Sequence, residues 1–289
     1  MAHSPGEETI EAAIHNTPEG VTFDNTKYPD IIELRDICQS YDGGKTFTIK
    51  GCNLLIENKP DQGQFVVLLG MSGCGKSTLL RYIAGLQEPT SGQVLIGGKP
   101  RTDNDIVSMV FQQYSSFPWL SVLKNVMLPL ELKGVPAKQC REKAMEMLKL
   151  VGLAEHREKY AMYGPLSGGQ LQRVAIARSL VSNPNIILMD EPFGALDGVT
   201  RYQMQILLCK IWEALKSTII FVTHDIREAV FLGDDVYIMA PRGGKILKHF
   251  FVDLPLHREL DIMQDPVFIE TVRQVDVEMR GAAEQFLNK

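Results

Sequence analysis

The stretch Gly70-Met71-Ser72-Gly73-Cys74-Gly75-Lys76-Ser77-Thr78 follows five apolar residues, Phe65 to Leu69, and opens a segment of helical character, Lys76 to Ala84. An unbroken apolar run of that length reads as a strand buried on both faces, so the order is strand, glycine loop, helix. The loop fits G-x-x-x-x-G-K-[ST] and has the flanks that this pattern requires. Its glycines let backbone N–H groups close around a phosphate, and the N-terminus of the helix adds partial positive charge. In such a loop Lys76 can bridge the β- and γ-phosphates of a nucleotide and Ser77 can ligate Mg2+. A random glycine-rich turn would lack the buried strand before it and the helix after it. Gly70, Ser72, Gly73, Cys74, Gly75, Lys76, Ser77 and Thr78 are therefore the first candidate binding residues.

On the N-terminal side, from Ile31 to Phe65, short apolar stretches alternate with turn-forming residues such as Tyr41-Asp42-Gly43-Gly44 and Asn58-Lys59-Pro60-Asp61. That is the pattern of short antiparallel strands and hairpins, hence of a β-subdomain. On the C-terminal side a strand is predicted at Ile106 to Phe111. Between Gln113 and Ser182 the period turns helical: Ala144, Met147, Leu148 and Val151 share a face, and Leu171 to Val181 is helical too. Buried strands return at Ile186 to Met189 and Ile219 to Val222, on either side of a helix at about Arg201 to Lys216, the alternation of a parallel sheet. Val236 to Met239 and Ile246 to Phe251 flank Pro241-Arg242-Gly243-Gly244 as a terminal hairpin. Pro266 to Leu287 places Ile269, Val272, Val275 and Met279 on one helical face. The expected fold class is α/β, a P-loop NTPase (RecA-like) core with an antiparallel β-subdomain and an inserted α-helical subdomain at about 113–182. The expected domains are a loosely ordered N-terminal extension (1–30), a nucleotide-binding domain (31–252) and a C-terminal extension (253–289) ending in an amphipathic helix.

With 289 residues and 45% hydrophobic composition the chain can bury a substantial core. Its longest apolar runs are strand-length, far short of the ~20 residues needed to span a bilayer. Met1 to Asp30 lacks the basic start and apolar core of a secretory signal, so a cytosolic location is expected. The net charge of −5 leaves no electrostatic footprint for a polyanion, and nucleic acid is not an expected partner. Cys38, Cys52, Cys74, Cys140 and Cys209 are odd in number and form no C-x-x-C pair, which points to reduced thiols rather than a disulfide framework or a zinc site.

Two further motifs bear on phosphate chemistry. Asp190 ends the run Ile186-Ile187-Leu188-Met189, and ligands of open parallel sheets sit at the carboxyl ends of strands. Asp190 is thus the natural partner of Mg2+, through water. Glu191 beside it can polarise an attacking water as a general base. Read alone, Asp190-Glu191 before Pro192 is also an ordinary helix-capping pair; the phosphate loop in the same chain decides against that. Leu166-Ser167-Gly168-Gly169-Gln170 begins a helix carrying Leu171, Val174, Ala177 and Val181, a second N-terminus suited to an anion. Taken alone it would be a plain helix-start turn, and within this chain it has no phosphate of its own to bind.

Together these residues resemble the ATP-binding cassette (ABC) family: Walker A at Gly70 to Thr78, the signature at Leu166 to Gln170 and Walker B at Ile186 to Glu191. The resemblance covers about Ile31 to Phe251. It implies a pair of cassettes packed head to tail, a second copy of the chain or a homologous cassette, in which Ser167 and Gly169 of one subunit contact the γ-phosphate held by Gly73, Lys76 and Ser77 of the other. ATP and Mg2+ are the implied ligands, with Ser77, Gln112 and Asp190 toward the metal. Tyr41 matches the aromatic residue that stacks on adenine, where the alternative is an exposed hairpin tyrosine. Gln112, ending the strand Met109-Val110-Phe111, matches the glutamine that approaches Mg2+ and the attacking water at the hinge to the helical insertion. His224, in Thr223-His224-Asp225, matches the histidine that senses the γ-phosphate, although a lone strand-end histidine is usually structural. Asp197 matches the residue that reports the state of one site to the other, and Glu191, His224 and Gln112 form the implied catalytic set.

Ser116-Phe117-Pro118-Trp119-Leu120, Glu191 to Asp197 and Asp225 to Leu232 are similar to the ATPases of bacterial importers for nitrate, sulfonates, taurine or bicarbonate. This similarity implies transmembrane permease subunits as partners, a periplasmic or lipid-anchored solute-binding protein as an indirect one, and a peripheral place on the cytoplasmic face of the bacterial inner membrane. Phe117 to Leu120 would then lie near the groove for a permease helix, or else form core of the helical insertion; both readings stand. Two rivals remain within the family: an ABC ATPase acting on nucleic acid, against which the single cassette and short insertion argue, and a catalytically silent regulatory cassette, against which intact Lys76, Asp190, Glu191 and His224 argue.

Overall fold

The computed structural model describes residues 30–59, 63–105, 107–113 and 115–287, with side chains through 284. The N-terminal extension expected over 1–30 lies outside the described residues except for Asp30. In chain order the elements are β1 (Ile32–Gln39), β2 (Ile49–Ile56), β3 (Phe65–Leu69), α1 (Lys76–Ile83), β4 (Ser91–Ile96), β5 (Lys99–Pro100) and β6 (Ser108–Val110). There follow α2 (Val122–Leu132), α3 (Ala137–Leu150), α4 (Gly168–Leu180), β7 (Ile186–Asp190), α5 (Gly198–Leu215) and β8 (Thr218–Thr223). The chain continues through α6 (Ile226–Leu232), β9 (Asp235–Met239), β10 (Ile246–Phe251) and α7 (Pro266–Leu287). Two compact units divide it: residues up to 106, 222–254 and from 263 on form the first, and 107–221 with 255–262 form the second.

The first unit carries an antiparallel sheet of order β2-β1-β4-β5. Cross-strand partners Ile32 and Ile56, Leu34 and Leu54, and Ile37 and Cys52 are all buried, so β1 and β2 keep one face on the core while the register shifts between Leu34 and Ile37. At that irregularity Asp36 takes a φ of 48°, its N–H donating to Asn53 Oδ1 at 2.8 Å. β4 and β5 are absent from the sequence reading: Ser91-Gly92-Gln93 is polar and exposed, and only pairing with β1 makes it a strand. In the other sheet of this unit β3 pairs parallel with β9, Val67 against Val236, and β9 pairs antiparallel with β10. Every residue of β3 is buried, as expected of a strand covered on both faces. α7 packs on α6, with Phe268 and Val275 buried and the Arg227 guanidinium 5.4 Å from the centre of the Phe268 ring. The predicted apolar face of α7 needs correcting at Ile269, which is 55% exposed; the buried stripe starts one residue earlier, at Phe268.

In the second unit β6 pairs parallel with β7, Met109 against Leu188, and β8 follows β7 in the strand order. β6 is shorter than the strand expected at Ile106 to Phe111: Ile106 lies outside the described residues, and Phe111, 39% exposed, gains no burial that would extend pairing. α2, α3 and α4 pack on one another and account for the helical insertion. α2 starts at Ser121, whose hydroxyl accepts from Lys124 N–H at 3.2 Å. α3 buries Cys140, Ala144 and Leu148, one residue per turn. Arg258, 1% exposed, belongs to this unit and lies 6.0 Å from the centre of the Trp212 ring on α5. The fold is that of a P-loop NTPase core with an antiparallel sheet and inserted helices.

Candidate nucleotide-binding site

In the first unit the phosphate loop runs from the buried end of β3 to the start of α1. Gly73 has a φ of 81° with nothing within 4 Å of an added Cβ, so backbone conformation alone demands glycine there. Gly75 caps α1 at a φ of 109°, and an added Cβ would lie 2.9 Å from Ile49 Cγ1, so conformation and space agree. No side chain caps α1, which leaves the first-turn N–H groups directed at the loop. Lys76 is 4% exposed, its ammonium donating to the carbonyls of Gly70 (2.8 Å) and Met71 (3.0 Å). The positive charge is thereby folded onto the loop it serves. Ser77 and Thr78 are half-buried in the first turn, Cys74 is buried beneath it, and Ser72 is exposed.

The same unit places His224 beside this loop, because Gly70 N–H donates to the carbonyl of Thr223 at 3.4 Å. His224 is exposed, and the residues around it are tightly fixed. The Thr223 hydroxyl donates to the buried Glu228 carboxylate (2.5 Å) and accepts from Asp225 N–H (3.0 Å), while Asp225 Oδ1 accepts from Glu228 N–H (3.1 Å). Tyr41 is 67% exposed, and its hydroxyl accepts from Gln87 Nε2 at 3.3 Å. Its loop is stitched by Asp42, whose carboxylate accepts from the hydroxyls of Thr46 and Ser40, with Ser40 Oγ accepting in turn from Gly44 N–H.

In the second unit Asp190 is the last residue of β7 and 8% exposed. Glu191 follows with a φ of 42°, in the left-handed region. Phe193, buried against Phe221 at 5.6 Å between ring centres, and the bond from Gly194 N–H to the Glu191 carbonyl (3.1 Å) hold this turn. A Cβ added to Gly194 would stand 3.8 Å from Gln112 Nε2 and equally far from Glu191 Oε2, so those two side chains converge on one spot. Gln112 itself does not end a strand: it is exposed in a bend two residues beyond β6. Asp197 caps α5, Oδ1 accepting from Thr200 N–H at 3.0 Å, and that backbone bond holds its carboxyl below the usual range.

Ser167 caps α4 reciprocally: its hydroxyl accepts from Gln170 N–H (3.3 Å) and its N–H donates to Gln170 Oε1 (2.9 Å). A Cβ on Gly169 would strike Thr200 Cγ2 at 2.7 Å, so the signature loop lies against the first turn of α5, next to Asp197. Gln170 also meets His156, Nε2 to Nε2 at 2.9 Å. Sequence reading missed Thr200 and His156, which carry no local signal, and Glu228, whose D-x-x-E spacing from Asp225 was a legible cap. Among the described residues no three or more His, Cys, Asp or Glu side chains form a metal cluster by themselves.

Comparison with known proteins fits this geometry. The ABC transporter family model matches residues 56–194. The nitrate import ATP-binding protein NrtD of Synechocystis sp. is 41% identical over 262 residues, 86% of this chain and 95% of that protein. The taurine import ATP-binding protein TauB of Rhizobium johnstonii is 48% identical over 198 residues, 67% of this chain and 73% of that protein. A solved ATP-binding cassette, dimeric in a post-hydrolysis state with ADP and Pi, superposes with a TM-score of 0.66 at 34% identity, over 78% of this chain and all of that one. On identity and coverage of this extent, the chain belongs to the ABC transporter ATP-binding family and is an ATPase.

Proposed function

We propose that the chain powers a bacterial importer of a small anion, such as nitrate, bicarbonate or an organic sulfonate, as one of two cassettes docked on separate membrane subunits at the cytoplasmic face. The likeness to NrtD and TauB supports the import class and its substrates. The carrying observation is the capped, exposed start of α4 at Ser167, a helix N-terminus suited to an anion in a chain that already has a phosphate loop. Pairing head to tail gives that helix end its ligand, the γ-phosphate on the partner's loop. A solute-binding protein outside the membrane would complete the assembly.

The proposed roles follow side-chain chemistry. Backbone N–H groups from Gly70 to Thr78 cradle the phosphates, Lys76 neutralises them, and Tyr41 offers its exposed ring to adenine. Mg2+ would neutralise the β- and γ-phosphates; it takes few protein ligands when it arrives with a nucleotide, which suits the Ser77 hydroxyl, the Asp190 carboxylate and Gln112 better than a carboxylate cage. Glu191 accepts a proton from water, Gln112 helps to orient that water, and His224 contacts the γ-phosphate. Gly168 and Gln170 shape the signature loop for the partner's nucleotide, and Asp197 reports across the pair. ATP closes the pair and hydrolysis reopens it.

Glu191→Gln tests this reading. Removal of the basic carboxylate with shape preserved should stop hydrolysis and leave ATP bound, so that a dimer accumulates in sedimentation runs with ATP. Wild-type turnover in that variant would remove Glu191 as the base, and a monomer with ATP bound would remove the closed pair. Uptake of nitrate, bicarbonate or taurine by vesicles carrying the copurified permease assigns the anion, since a cassette at the cytoplasmic face does not touch the solute.

A further inference from the structure

Gln112 lies in a bend, and described residues on either side of it bond to the last turn of α4. Before it, the Ser108 hydroxyl donates to the carbonyl of Ser179 (2.9 Å), and the Ser179 hydroxyl donates back to the carbonyl of Met109 (3.4 Å). After it, Arg178 Nη2 donates to Ser115 Oγ (2.8 Å), and the same guanidinium stands 4.9 Å from the centre of the Phe117 ring. Consecutive residues of one helix therefore grip both ends of the turn. A second clamp holds the outgoing strand of chain: Asn125 Oδ1 accepts from Phe117 N–H (2.8 Å), and its Nδ2 donates to the carbonyls of Phe117 (3.0 Å) and Leu120 (3.2 Å).

The Arg178 contact is an expensive one. Burial disfavours its charge, and its Nη1 is buried with no hydrogen-bond partner among the described residues. Packing alone would be served better by an apolar residue at this place. A planar guanidinium lies flat over the ring while its fork donates to the neighbouring hydroxyl, a geometry that suits arginine to this place. The opposite end of the 13-residue α4 is the signature loop at Ser167, roughly 17 Å from Arg178 at ~1.5 Å per residue. One rigid rod thus carries the loop offered to the partner's nucleotide at its start and the grip on the Gln112 turn at its end.

From this geometry we propose that Arg178 and Ser179 are positioning residues: they make the placement of Gln112 follow the placement of the signature end of α4. Engagement of Ser167 by a partner then reaches Gln112 through the helix, without either residue touching nucleotide. The inference rests on the reading of Gln112 given above, and the experiment separates the two.

Arg178→Lys in the full chain keeps the charge and removes the stacked, bifunctional contact. Amide exchange over residues 111–117 of the nucleotide-free protein should rise about tenfold while protection elsewhere is unchanged. The kcat for ATP hydrolysis should fall about tenfold with KM held within about twofold, the mark of a group that acts on placement rather than on binding. In a Gln112→Ala background the same substitution should cost nothing further. Ser115→Ala, which removes the Arg178 acceptor, should move exchange and kcat in the same direction by less, and it carries the test if Arg178→Lys does not fold. Unchanged exchange over 111–117, or an undiminished fall in kcat in the Gln112→Ala background, overturns the proposal. If Gln112→Ala alone keeps wild-type turnover, the role given to Gln112 falls, and the exchange result by itself then decides whether α4 holds the turn.

Discussion

Glu191 follows the end of β7 with a φ of 42°, a conformation that costs a residue with a side chain about 1–3 kcal/mol. Buried Pro192 and Phe193 hold it there, so its carboxylate leaves the strand toward Gln112 instead of continuing the alternation of β7. Asp42 shows the same economy on an exposed loop. Hydrogen bonds from Thr46, then from Ser40, lower its carboxyl from 3.8 to about 2. A depressed carboxyl contributes order that is complete above the unfolded value and is lost as pH falls through the folded one. The loop that presents Tyr41 should therefore keep its order down to a pH near 3.8 and lose it between there and about 2. NMR of residues 40–46 during an acid titration checks this; loss of order well above that window would contradict the Asp42 assignment.

α4 carries the Ser167 cap at its start and the bonds to Ser108 and Ser115 at its end. Its start was legible because S-x-x-Q sets a reciprocal cap by local geometry alone, and Ser167 and Gln170 make both of its bonds. Ser167→Ala should cost about 1 kcal/mol of unfolding free energy in denaturant titration, the usual worth of an N-cap hydroxyl. A loss of several times that would mean that Ser167 holds more than the helix start. The strands β4 and β5 were illegible for the opposite reason. Gly92, with a φ of 101°, would place a Cβ 2.6 Å from the carbonyl oxygen of Asp36, so its role depends on a strand far away in sequence. The face of α7 was mistaken by one residue because Phe268 and Ile269 are both apolar; packing against α6 chose Phe268.

For the molecule as a working unit, sharing of sites across a pair can be tested by mixing two inactive chains. Lys76→Ala removes the phosphate-bridging charge, and Ser167→Arg blocks the signature end. In a head-to-tail pair of the two variants one site carries both defects and the other carries neither, so mixing should restore measurable ATP hydrolysis. If each chain completed its own site, the mixture would stay as inactive as its parts. This logic rests on motifs that the sequence displays openly. A phosphate loop, a capped helix start and an acidic residue at a buried strand end are each determined by a few contiguous residues, through backbone conformation and local hydrogen bonds. The five apolar residues from Phe65 to Leu69, the spacing of G-x-x-x-x-G-K-[ST] and the strand–helix–strand alternation from Ile186 to Val222 were enough to identify the α/β core. Contacts between distant residues were not legible: Gly169 against Thr200, and Arg178 on Ser115 and Phe117. Those residues leave no periodic trace, because what joins them is side-chain packing after the chain has folded, and no local rule encodes which distant atoms will meet.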